Sequence, residues 1–228
     1  MTDPSAAHAS GPGPMDLVRL VTHFNLHPEA DLHPSWLPAD WPARHRVPAR
    51  LGQRGRAVLS QLLMRSSASG APGDFNFDSR GKRLALLDAG SLRRLALYCG
   101  LCAHLPLLRQ RGALSSQLRR QARRLGDDAL DFVLERVPEL TEIRMDAKVL
   151  KDRPAGAGHV VATRGYRLLL GLMAAEGEPV LQRVQHKLPR RVSTYRVPAL
   201  ESRQQRQLGE LVLSCIVPER LPQWDWLF

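Results

Sequence analysis

The chain has 228 residues, of which 43% are apolar and only 5% aromatic, and its formal net charge is +11. This length and apolar content are enough for a core of its own, and the shortage of aromatic residues favours leucine-rich helices over a β-sandwich. Its three cysteines, an odd number with apolar neighbours, argue against a disulfide framework and for a reducing compartment.

The N-terminal part of the chain divides by its prolines and small residues. Residues 1–13 are small, polar and proline-rich, which predicts a disordered leader rather than a secretory signal. The rest, residues 14–228, is predicted to form a single α-helical domain. Its first helix starts at Pro14, where the first turn tolerates proline, and ends at Pro28. Residues 27–50 are rich in proline, so we expect an irregular N-terminal strap.

The remaining apolar patterns have helical spacing, and no segment alternates as a strand would. We therefore predict a mostly α fold, a single irregular domain of about eight helices with the strap at its N-terminus. Residues 66–80 are predicted to be a flexible loop, and Pro218 is expected to close the last helix. Predicted helices cover residues 51–65, a long segment capped by Ser91, 113–125, a segment from Asp127 or Asp128 to Pro138, 160–175, 178–187 and 201–217.

Four tryptophans lie in two short proline-flanked patches at opposite ends of the chain. The second patch contains Trp224 and Trp226. Tryptophan is enriched where proteins bind one another, so a patch can be a partner-binding surface. Equally, a proline-flanked tryptophan can clamp an irregular segment onto its own core, and both interpretations stay open. The candidate partner-binding residues of the first patch are Leu32, His33, Trp36, Leu37 and Trp41.

The densest basic cluster is Arg119, Arg120, Arg123 and Arg124. Spacings of three and four residues put these side chains on one broad side of a helix. The cluster is either a solvated face or a contact for an acidic protein, with nucleic acid or lipid as further alternatives. Nucleic-acid readers usually interleave aromatic residues or glycines with their cations, and none are interleaved here, which lowers that alternative.

No catalytic, cofactor-binding or metal-binding set is predicted. Cys99 and Cys102 have the spacing of a zinc or redox motif, but they fall inside a leucine-rich helix and no second ligand pair follows. His23 and His27 share a helix face, which is a weak metal signal. The longest apolar stretch, residues 168–175, is far shorter than the roughly 20 residues of a membrane span. We predict a non-enzymatic cytoplasmic protein without a cofactor or a transmembrane segment.

Both ends of the chain resemble a known family in the same order. Near the N-terminus the segments that carry the resemblance are FNLHP at residues 24–28 and LHPSWLP at residues 32–38. Near the C-terminus they are GYRLLLGLMAA at 165–175, EPVLQR at 178–183, KLP at 187–189, ESR at 201–203 and the terminal LF at 227–228. Together these segments resemble the YscK/SctK proteins of bacterial type III secretion.

That resemblance implies an adaptor of the secretion sorting platform, with no enzyme activity and no cofactor. Its partners would be the cytoplasmic domain of the inner-membrane ring protein and the pod protein, which is similar to a C-ring. The protein would then be cytoplasmic and peripheral at the cytoplasmic face of the inner membrane, and nucleic acid would not be a partner. The alternative from another class is an arginine-rich nucleic-acid-binding regulator.

Overall fold

The computed structural model describes residues 13–66 and 74–228, and these ranges contain helices and loops without a β-strand. Residues 1–12 of the predicted leader lie outside the described residues. The α-helices are α1 (Pro14–Leu26), α2 (Gly52–Ser66), α3 (Arg80–Arg83), α4 (Ala89–Cys102), α5 (Leu105–Arg109), α6 (Ala113–Arg123), α7 (Ala129–Asp131), α8 (Lys148–Asp152), α9 (Ala157–Ala174), α10 (Glu178–Lys187), α11 (Arg190–Ser193), α12 (Ser202–Leu211) and α13 (Val217–Arg220).

Short 3₁₀ helices and π-helical turns lie between the α-helices. The predicted mostly α, single-domain fold is confirmed. Seven of the thirteen described α-helices have ten or more residues, close to the predicted eight, and the other six are short. The 3₁₀ helices are Pro34–Trp36, Ala43–His45, Pro48–Arg50, Leu84–Leu86, Pro154–Gly156 and Pro222–Leu227, and the π-helical turns are Phe132–Arg136 and Val212–Ile216.

The centre of the fold is the crossing of α4 and α9, which make the largest contact between any two elements. Two glycines allow their backbones to touch. A Cβ on Gly165 would overlap the carbonyl oxygen of Ala96, and a Cβ on Gly100 would overlap that of Val161. Because only glycine lacks this atom, the sequence must keep both positions bare for the two helices to pack at this distance.

The helices that follow in the chain pack around this pair. Helices α6, α10 and α12 each contact α9, and the π-helical turn after α12 contacts α4. Their buried side chains are mostly leucine and valine, as the low aromatic content predicts. A second, smaller cluster holds α2 to the strap, and its buried members are Leu32, Leu37 and Leu59.

Two predictions are wrong about the residue at which a helix begins or ends. Helix α4 begins at Ala89, because the Asp88 carboxylate accepts hydrogen bonds from the amides of Gly90 and Ser91, so Asp88 is the N-cap rather than Ser91. Pro218 does not close the last helix. It occupies the first turn of α13, directly after a π-helical turn, where a missing backbone donor is tolerated.

The predicted capping role of Asp128 also differs from the structure. The Asp128 carboxylate makes no capping hydrogen bond and instead pairs with Arg220. In the described part of the predicted flexible loop over residues 66–80, Phe77 is buried edge-to-face against Phe24, with 5.5 Å between ring centroids. The Asn25 side chain also donates to the carbonyl of Asp74. These contacts fix residues 74–79 against α1, and residues 67–73 lie outside the described ranges.

We predict that Gly165→Ala lowers the free energy of unfolding by about 3 kcal/mol or more, because the new methyl group pushes α9 away from the α4 backbone. Gly209→Ala is the matched control. The methyl group there would lie at an ordinary distance of 3.9 Å from Leu172 Cδ1, so this change should be stabilising by about 0.5–1 kcal/mol. Urea unfolding measures both, and two variants of equal stability would contradict the tight crossing.

Candidate protein-binding interface

The first tryptophan patch lies on the C-terminal end of α10. The indole Nε1 of Trp36 donates to the carbonyl oxygen of Leu188 at 2.9 Å. The Trp36 ring also meets His186 edge-to-face, with 4.7 Å between ring centroids. This tryptophan therefore clamps the strap to the body of the protein, one of the two roles that the sequence left open.

Backbone groups strengthen the same contact. The amide of His33 donates to the carbonyl of His186 at 2.8 Å, and the amide of Arg190 donates to the Ser35 hydroxyl at 2.8 Å. The last carbonyls of an α-helix have no partner within the helix. The strap supplies donors to two carbonyls at the end of α10, those of His186 and Leu188.

A buried lysine lies beneath the strap. Lys187 is 4% exposed, and its ammonium donates to the Leu87 carbonyl at 3.0 Å and pairs with Asp31 at 3.1 Å. The ring centroid of Phe24 is 5.4 Å from the same nitrogen. Burial lowers the pKa of Lys187, while the charge of Asp31 and its hydrogen bond act in the opposite direction. Lys187 thus joins α10, α1 and the strap through one cation.

The candidate residues of the patch separate into inward and outward groups. Leu32 and Leu37 are 4% and 5% exposed and pack against Leu59 of α2. Trp41 packs against the same cluster and is half-exposed, as are His33 and Trp36. The patch therefore holds α2 in place, and a partner could reach only its half-exposed side chains. The partner-binding role of this patch stays a prediction.

The basic cluster of α6 also has two parts. Arg119 donates twice to the carbonyl of Leu108, at 3.0 and 2.9 Å, and once to that of Gln110 at 3.3 Å, so it caps the end of α5. The Arg120, Arg123 and Arg124 side chains are exposed, and Arg124 donates to the Gln121 side chain at 3.2 Å. Three of the four arginines are thus available to an acidic partner.

The second tryptophan patch closes the C-terminus onto α3 and α4. Trp224 donates from its indole to the Ser91 hydroxyl at 2.9 Å. Leu227 is buried. The Arg83 guanidinium donates to the carbonyl of Leu227 at 3.0 Å and to the carbonyl of Phe77 at 2.7 Å. The chain end is therefore docked on the core, whereas sequence reasoning alone could not choose what it docks on.

The cysteine motif lies in the core. Cys99 and Cys102 are fully buried in α4, and burial raises the pKa of the Cys99 thiol to about 12 and raises that of Cys102 as well. Because the thiolate is the form that binds metals and attacks disulfides, this environment is unfavourable for either chemistry. The described residues contain no group of three or more histidine, cysteine or acidic side chains arranged for a metal ion.

We predict that Trp36→Phe lowers the free energy of unfolding by about 1 kcal/mol, because the Leu188 carbonyl loses its donor while the ring contact with His186 is kept. Trp41→Phe is the control, since its indole makes no hydrogen bond to any described residue. Urea unfolding of both variants measures the difference. A larger loss for Trp41→Phe than for Trp36→Phe would contradict the assigned clamp.

We also predict that the protein loses stability as the pH falls from about 6.5 to 4. Burial, with a smaller effect from Arg183, lowers the pKa of His186 from 6.5 to about 4, and burial lowers that of His104 similarly. The unfolded chain therefore binds protons more readily in this window, and each histidine removes on the order of 2 kcal/mol of stability across it. Above pH 6.5 the full stability is present.

Thermal unfolding measured between pH 7.5 and pH 4 tests this. His186→Gln should flatten part of the pH dependence, because the glutamine does not titrate. The matched control for replacing a histidine by glutamine is His159→Gln, at an exposed position on α9. If His186→Gln and the unaltered protein show the same pH profile, the buried neutral state of His186 is wrong.

Among the described residues, no helix combines the length and apolarity needed to cross a membrane. The comparison with curated proteins found no match, and neither did the comparison with solved structures. A family model described as "YOP proteins translocation protein K (YscK)" matches residues 20–224, which takes in the strap, both tryptophan patches up to Trp224, and the glycine crossing of α4 and α9. Because this match covers most of its length, the chain belongs to the YscK family of type III secretion proteins.

Proposed function

We propose that this YscK-family protein is a non-catalytic cytoplasmic adaptor of the type III secretion sorting platform. It links the cytoplasmic domain of the inner-membrane ring protein to the pod protein and works at the cytoplasmic face of the inner membrane. The observation that carries the proposal is the family match over residues 20–224, which makes the chain a component of the secretion apparatus.

The distribution of surface groups supports a binding role. Arg120, Arg123 and Arg124 are exposed, and none of them forms an ion pair with a described residue. Surface cations without an internal counter-charge favour association with acidic surfaces and accelerate the encounter. We assign this part of α6 to the contact with an acidic face of one of the two partners, and the half-exposed strap tryptophans Trp36 and Trp41 to a second contact.

The fold supports holding these surfaces at fixed positions. The strap is bonded to the end of α10, and α6 is bonded to α5 through Arg119. Preorganised surfaces bind with less loss of conformational entropy than mobile ones. The internal hydrogen bonds of Trp36 and Arg119 therefore favour the affinity of an adaptor for its two partners, although these bonds occupy some of the candidate binding residues.

Charge reversal at Arg120 and Arg124 tests the α6 contact. We predict that Arg120→Glu with Arg124→Glu weakens binding to one of the two purified partners by about tenfold or more, because cations facing carboxylates become anions. Thermal unfolding should be nearly unchanged, since both side chains are exposed. Arg203→Glu with Arg206→Glu, two exposed arginines on α12, is the matched control and should bind as the unaltered protein does.

A pull-down from secretion-competent cells tests the adaptor function itself. It should recover both the ring protein and the pod protein. Recovery of neither protein, together with tight salt-sensitive binding of DNA or RNA in a gel shift, would contradict the adaptor and favour the nucleic-acid-binding alternative.

A further inference from the structure

Residues 41–66, at the end of the strap and in α2, carry an unusual charge. The segment contains six arginines and no aspartate, glutamate or lysine. All six arginine side chains are exposed, and none makes an ion pair or a side-chain hydrogen bond within the described part of the chain. This contrasts with Arg119, which is bonded to carbonyls of α5. The six residues are Arg44, Arg46, Arg50, Arg54, Arg56 and Arg65.

One face of α2 combines this charge with exposed apolar side chains. Arg54, Val58, Leu62 and Arg65 follow one another at spacings of four, four and three residues, so they lie in a stripe along the helix. Val58 and Leu62 are each 57% exposed. An aliphatic pair is therefore flanked along one line by a guanidinium at each end, about three helical turns apart.

The inner side of α2 is already occupied. Leu59 is buried against the strap leucines, Leu63 packs against the same cluster, and the Ser60 hydroxyl donates to the Leu26 carbonyl at 3.3 Å. These contacts fix which face of α2 points outward. The orientation of the stripe thus follows from the strap docking, and the stripe residues are not part of the main core cluster among residues 13–66 and 74–228.

The composition of the stripe favours a protein over the other anionic partners. An interfacial membrane helix needs a wide apolar face, and α2 has committed Leu59 and Leu63 to its inner side. Nucleic-acid surfaces interleave aromatic side chains for stacking, and α2 has none. Arginine forks match carboxylates in two-point hydrogen bonds, while the aliphatic pair fits the apolar side of another helix.

We propose that the outer face of α2 is a docking surface for an acidic amphipathic helix of a partner protein. Apolar residues of that helix cover Val58 and Leu62, and its carboxylates pair with Arg54 and Arg65. This inference rests on the proposed function, in that the acidic helix belongs to the ring protein or to the pod protein. It is a different surface from the arginines of α6.

The test measures binding of the full-length chain to the purified ring-protein domain and to the purified pod protein, each at low and at physiological salt. We expect Val58→Glu with Leu62→Glu, and separately Arg54→Glu with Arg65→Glu, to weaken binding to the same partner by about tenfold or more. For the unaltered protein, that affinity should fall as salt rises, because exposed charges are screened.

The matched control is Val149→Glu with Arg153→Glu, which makes one change of each kind at two exposed positions in and directly after α8. It should bind within about twofold of the unaltered protein, and all variants should unfold at similar temperatures. If both α2 variants bind normally while the unaltered protein binds a partner, the docking surface is overturned and the adaptor function stands.

Two further arms separate the other outcomes. If the unaltered protein binds neither partner, the adaptor function fails before any variant is compared, and the docking surface fails with it. Vesicles of mixed phosphatidylglycerol and phosphatidylethanolamine, and a single-stranded DNA, replace the protein partners in the last arm. The proposal would be overturned in favour of a lipid or nucleic-acid surface by one combined result. In that result both α2 variants abolish binding to the vesicles or to the DNA, and neither variant changes binding to the protein partners.

Discussion

The close crossing of α4 and α9 is the constraint on which the rest of the structure depends. A Cβ atom at Gly100 or Gly165 would overlap a carbonyl oxygen of the other helix, and without these atoms the two helices bury each other's leucines. Helix α9 in turn positions α6 and α10. The positions of both candidate binding regions therefore depend on the buried contact between α4 and α9.

The position of the strap on the surface depends on the C-terminal end of α10. Unpaired carbonyls at this helix end and the buried ammonium of Lys187 would be costly without partners, since a buried charge needs a counter-charge or hydrogen bonds. The strap supplies them through Trp36, His33 and Asp31. Strap leucines then hold α2 and point its arginine-flanked stripe outward. Satisfied polar groups thus connect the core to the strap, and an apolar cluster connects the strap to the proposed docking surface.

The sequence predicted the elements better than the partners of individual side chains. Periodicity and proline gave the helical class and the bounds of α10, residues 178–187, because these are local properties. The burial of Lys187 and the capping role of Arg119 depend on segments far away in the chain, so no local pattern indicates them. The α6 arginines stand out in the sequence because they are close together. The six arginines of residues 41–66 are spread among prolines and apolar residues. Their lack of acidic neighbours indicates a binding surface only when the structure shows that the outer face of α2 is exposed.

We propose that a rigid core presents α2 and α6 to acidic protein partners. Hydrogen exchange of the full chain, measured alone and with the ring-protein domain or the pod protein, tests this proposal, since binding slows exchange where surfaces become covered and ordered. We expect new protection in residues 52–66 or 113–124, with little change at the buried crossing of α4 and α9. Protection confined to the C-terminal residues 222–228, with α2 and α6 unchanged by either partner, would contradict it.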